Sequence, residues 1–122
     1  MRNPELIAFG FDEPAAASLA TWAAPRGIRV RPVQKTDACL NLLREGYARA
    51  AILRVGRDLP SELELLAAVS AGFPNVATIV IEDSNHAELR ATLWDLGAHL
   101  VASPRQHAEW MQTLERVFAD AK

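Results

Sequence analysis

The carboxylates Asp12 and Glu13 close one apolar run, Leu6 to Phe11, and Glu82 with Asp83 closes another, Val76 to Ile81. Hard oxygen donors grouped in this way are the material of a divalent-cation site. A third apolar run between them, Ala50-Ala51-Ile52-Leu53, ends on Arg54. A guanidinium stays protonated and offers no lone pair, so it is neither a nucleophile nor a metal ligand. Two unit charges about 4 Å apart interact by roughly 4 kcal/mol at an effective dielectric near 20. Arg54 set among these carboxylates therefore opposes a bound cation and takes its place. The expected arrangement is an internal cluster in which Arg54 bridges Asp12 and Glu82 through charge-assisted hydrogen bonds.

The remaining reactive side chains have plainer readings. Asp58 lies before Leu59-Pro60 and reads as a turn or cap residue. His86, His99 and His107 form no pair at zinc-ligand spacing. Ser103 has no neighbour in sequence to activate it. Cys39 is the single cysteine, which excludes an internal disulfide and suits a small buried hydrophobe in a reducing compartment. No Gly-x-Gly-x-x-Gly or Walker-type loop is present. We therefore expect no catalytic residue, no metal and no cofactor.

The elements that must position these side chains alternate between two periods. Leu6 to Phe11 is short enough for a strand, and the alanine-rich Pro14 to Ala24 follows as a helix with Leu19 and Trp22 directed to the core. Pro25-Arg26-Gly27 stops it. Ile28 to Val33 alternates apolar and basic residues, and Pro32 within it assigns this strand to a sheet edge. Thr36-Asp37 is expected to cap the next helix, with Leu40, Leu43 and Tyr47 on one stripe.

Ala50 to Val55 lacks alternation, as a strand covered on both faces should. Leu59 opens a helix carrying Leu63, Leu66 and Val69, closed by Gly72-Phe73-Pro74. Val76 to Ile81 is rich in β-branched residues and reads as a central strand. Asp83-Ser84-Asn85 is expected to cap a helix bearing Leu89, Leu93 and Leu96. His99 to Ala102 is a short strand, and the last helix, from Gln106, presents Met111, Leu114 and Phe118 to the core. Five strand–helix units with short connections predict one α/β domain over residues 1–122, a three-layer parallel sheet in the order 2-1-3-4-5.

Half of the 122 residues are hydrophobic and the formal charge is −2. With lysine only at Lys35 and Lys122 and no block of like charges, neither nucleic acid nor a membrane is expected as a partner. No stretch approaches spanning length, so the expected compartment is the cytoplasm.

Four landmarks in this order resemble the response-regulator receiver family, the CheY-like domains with their flavodoxin-like fold, over essentially the whole chain. Phe11-Asp12-Glu13-Pro14 resembles the family's acidic first turn, Asp-Asp-Glu-Pro. Leu63-Glu64-Leu65-Leu66 resembles its third-helix pattern. Leu96-Gly97-Ala98 looks like the Gly-Ala pair before the fifth strand, and Ser103-Pro104 looks like the Lys-Pro motif with one residue fewer in between.

Counting along these landmarks, the resemblance places Arg54 at the phosphoacceptor aspartate, Glu82 at the Ser/Thr switch and Ser103 at the lysine, while Phe11 replaces the first acidic residue. Only Asp12, with Glu13 beside it, remains of the chemical set. The resemblance thus implies a degenerate phosphorylation pocket of Asp12, Glu13, Arg54, Glu82 and Ser103. It also implies that pairing with a protein partner, or with a second copy, uses the face of the fourth helix, fifth strand and fifth helix, where Trp94 and Trp110 are candidate interface residues. The alternative class is a sensor of a small anionic metabolite or nucleotide that binds Arg54 at the strand ends. A receiver with Asp58 as a displaced acceptor is the remaining reading.

Overall fold

The computed structural model describes residues 3–84 and 86–119. Five parallel strands are ordered β2-β1-β3-β4-β5: β1 Glu5–Phe9, β2 Arg29–Val33, β3 Ala48–Val55, β4 Ala77–Glu82 and β5 Leu100–Ala102. Five helices connect and follow them: α1 Glu13–Ala23, α2 Thr36–Glu45, α3 Leu59–Gly72, α4 Ala87–Asp95 and α5 His107–Ala119. This is the doubly wound, flavodoxin-like topology that the sequence predicts.

The pleat of the sheet divides the core into two layers, because alternate residues of a strand face opposite sides. Ile7, Ala51, Leu53 and Val80 pack with Cys39, Leu43, Leu66 and Leu93 of α2, α3 and α4. Leu6, Ala50, Ile52, Ile79 and Ile81 pack with Leu19, Leu114 and Phe118 of α1 and α5. β3 is buried along its centre on both faces, which is why its sequence shows no alternation. β2 lies at the edge as Pro32 requires, with Arg29 and Pro32 exposed. Cys39 is buried in the first layer, and burial pushes its thiol up to about 12, so it stays protonated at neutral pH.

Several details depart from the sequence reading. Lys35, in extended conformation, occupies the N-cap of α2, so Thr36 is already helical and neither it nor Asp37 caps. Tyr47 lies beyond that helix and is exposed, while Cys39 and Leu42 complete the stripe with Leu43. His86 holds the N-cap position of α4, because Ser84 gives both its N–H and its hydroxyl to Glu82 and not to the helix. The third expected cap residue there, Asn85, lies outside the described residues. Trp22, expected fully in the core, is half-buried with the Arg26 guanidinium 4.7 Å above its ring.

At the opposite end of the sheet from the candidate site lies a buried charge that sequence reasoning missed. Glu5 is fully buried, with Arg31 Nη1 at 3.2 Å and Arg29 Nη1 at 3.9 Å from its Oε2. Arg31 also lies 3.9 Å from Glu45, so the base of β1 and β2 is tied to the end of α2. No helix among the described residues is long and apolar enough to cross a membrane.

Candidate functional site

The strand ends carry the five residues of the expected pocket, but the pleat sends them different ways. Arg54 stands beside Ile81 in the β3–β4 register, and Val55 stands beside Glu82. Residues two apart share a face, so Arg54 follows Ala50 and Ile52 toward α1 and α5, and Glu82 follows Val80 toward α3 and α4. The expected bridge between Arg54 and Glu82 does not form, because the sheet itself lies between the two side chains. Nor does Arg54 reach Asp12. Asp12 is the N-cap of α1, its Oδ1 accepting from the Ala15 N–H at 2.9 Å, and Glu13 is exposed in the first turn.

The cation that answers Glu82 is Arg90 of α4. Glu82 is 2% exposed; one carboxylate oxygen accepts from Ser84, and the other lies 3.9 Å from Arg90 Nε. Arg90 Nη2 also donates to Gln106 Oε1 at 3.2 Å and to the Val101 carbonyl at 3.4 Å. Gln106 Oε1 in turn accepts from the Ser103 N–H at 2.8 Å. One guanidinium thus ties the end of β4, α4, the end of β5 and the turn into α5. The sequence signal for this network was an acidic residue ending a buried strand, which demands a partner from a packed neighbour; Arg90 and Gln106 are the members that sequence reasoning missed.

Arg54 has a different setting. Among the described residues no carboxylate lies within ion-pairing distance of it. It forms, with Ile81, the floor of a groove of about 510 Å³ between α1 and α5. Ala15, Ser18, Leu19 and Trp22 make one wall, and His107, Trp110 and Met111 make the other. Phe11, which is buried, and Pro104 close the end near the strand termini. Trp110, expected at an interface, is instead 7% exposed, in edge contact with His107 at 4.5 Å between centroids. The indole N–H groups of Trp22 and Trp110 are both buried without an acceptor.

The turn that carries Asp12 approaches this floor closely. Gly10 has φ +79°, and a Cβ there would meet the Arg54 carbonyl oxygen at 2.9 Å, so only glycine fits without displacement. After β3, Glu62 is buried and its Oε1 accepts from the Gly56 N–H at 2.8 Å, fixing the loop into α3. Asp58 is exposed there and accepts from the Ser61 hydroxyl at 2.9 Å. Among the described residues no three His, Cys, Asp or Glu side chains converge as a metal site. On α4, Trp94 is 48% exposed.

The chain has the fold of response-regulator receiver domains. It superposes on the signal receiver domain of an HD domain-containing protein from Pseudomonas fluorescens Pf-5 with a TM-score of 0.81 and 17% identity, covering 98% of this chain and 89% of that one. The response regulator receiver protein from Pseudoalteromonas atlantica is similar at a TM-score of 0.79 and 18% identity, over 98% of this chain and 100% of that one. NtrX from Brucella abortus, in complex with ADP, is similar at a TM-score of 0.75 and 16% identity, over 98% of this chain. The present chain spans only 27% of that longer protein. No protein-family model matches the sequence, and no curated protein matches it.

Proposed function

We propose that this chain is a cytoplasmic, receiver-type regulatory module that acts through protein contact and transfers no phosphoryl group. The observation that carries this reading is Arg54 at the end of β3, at the position where the resemblance puts the phosphoacceptor. A guanidinium cannot accept a phosphoryl group, and its fixed charge disfavours Mg²⁺ beside it. Two further features support it. Asp12 is committed to capping α1, and Phe11 is buried in a layer of apolar side chains. At the positions where the resemblance puts the switch residue and the lysine, Glu82 is paired with Arg90 and the Ser103 N–H is bonded to Gln106, which supports a pocket without a phosphoryl response.

Incubation with acetyl phosphate and Mg²⁺ is expected to leave the intact mass unchanged. A stable one-phosphate adduct would overturn the reading, and an adduct mapped to Asp58 would replace it with the displaced-acceptor one.

Trp94 is the residue we assign to partner contact. It is a large apolar ring exposed on α4, adjoining β5, and aromatic side chains are enriched at interface cores. Trp94→Ala is expected to change the melting temperature little, because the ring is half in solvent. The same variant should abolish self-association in sedimentation velocity, or binding to the protein partner. A marked loss of stability with unchanged association would assign the ring to the core instead.

A further inference from the structure

We propose that the groove between α1 and α5 is a binding site for a small aromatic monocarboxylate, with Arg54 as its carboxylate clamp. This goes beyond the protein-contact reading and rests on different residues.

The groove has the size of a small-molecule site, about 510 Å³ against a usual range of roughly 300–1,000 Å³. Its walls are apolar and aromatic, and Arg54, which lines its floor, has no carboxylate partner among the described residues. An arginine fork matches a carboxylate by two parallel hydrogen bonds, and low-dielectric walls strengthen that pair. Trp22 and Trp110 give the lining its aromatic surface, against which a planar body packs.

The lining also limits the class. Among the described residues, Arg54 and His107 are its only basic side chains, and phosphates recruit several donors or cations. Among the described residues no glycine-rich loop or basic cluster lines the groove, so a nucleotide is a poor fit and a monoanion a good one. The floor position further distinguishes this site from a ligand held above the strand ends, because the acid enters beside the sheet, between the helices.

The test is a titration of the ¹⁵N-labelled chain with 1-naphthoate, with 1-naphthamide and inorganic phosphate as controls. The indole N–H resonances of Trp22 and Trp110 should shift together and saturate with 1-naphthoate, while that of Trp94 stays in place. The amide should bind about tenfold more weakly or worse, because it lacks the charge-assisted pair. Arg54→Met, which conserves bulk, should erase the difference between acid and amide. Ser18→Phe, at the exposed rim of α1, should block both. No saturable shift at millimolar 1-naphthoate would overturn the proposal, as would equal binding of acid and amide to the wild-type chain. Inorganic phosphate shifting the same two resonances as strongly would overturn the assigned class.

Discussion

Replacing Arg90 by alanine is expected to lower the stability of the chain by about 2–3 kcal/mol, read as a shift in the urea midpoint at unchanged slope. The substitution leaves Glu82 nearly inaccessible to water, with no cation among the described residues within ion-pairing distance, and it removes the donors to Gln106 and Val101. A buried carboxylate that loses its partner costs several kcal/mol; the 3.9 Å separation and the partial exposure of Arg90 place the expected value toward the low end. Adding Glu82→Leu to the Arg90→Ala chain should recover most of the loss, since a well-packed apolar pair is often as stable as an ion pair. A loss below about 0.5 kcal/mol would show that Arg90 behaves as an ordinary surface charge. In that case the view of this corner as a fixed network fails with it.

The second large effect is expected at the other end of the sheet. Arg31→Ala removes, of the guanidinium groups that the described residues bring to the fully buried Glu5, the one nearest its carboxylate, and a loss of about 3 kcal/mol follows. Glu5→Gln should cost less, because it removes the charge and keeps the shape. Arg29→Ala should cost least, since that arginine lies farther from the carboxylate and is largely in solvent. None of the three should move the indole resonance of Trp110, which lies near the opposite strand ends at the start of α5. An effect of Arg31→Ala equal to that of Arg29→Ala would mean that the buried carboxylate draws on both arginines alike.

How much of this could be read from residues alone follows from which interactions are local. Pro32 located the edge strand, and the unbroken apolar runs Ala50–Leu53 and Val76–Ile81 located the centre, because burial on both faces leaves a mark in composition. Helix entries were less legible. At α4 the expected cap residue Ser84 is drawn backward to Glu82, a competition that no local pattern displays. The charged site failed for a geometric reason: Arg54 and Glu82 end adjacent strands, but the register pairs Arg54 with Ile81 and so sets the two charges on opposite faces. Trp110 looked peripheral on the helical wheel; only the spacing of α1 from α5 reveals it as a groove wall.

The two margins of the sheet decide how copies of this chain can meet. Along β2, Pro32 withholds a backbone donor and the charged Arg29 and Arg31 flank it; β5, at the far margin, is only three residues long. Neither margin is a template on which a stranger's strand can add, and both carry the features by which natural sheets resist fibril-like stacking. Crowded or partly damaged populations of this protein should accordingly stay dispersed, and whatever companions it accepts must approach across its helices.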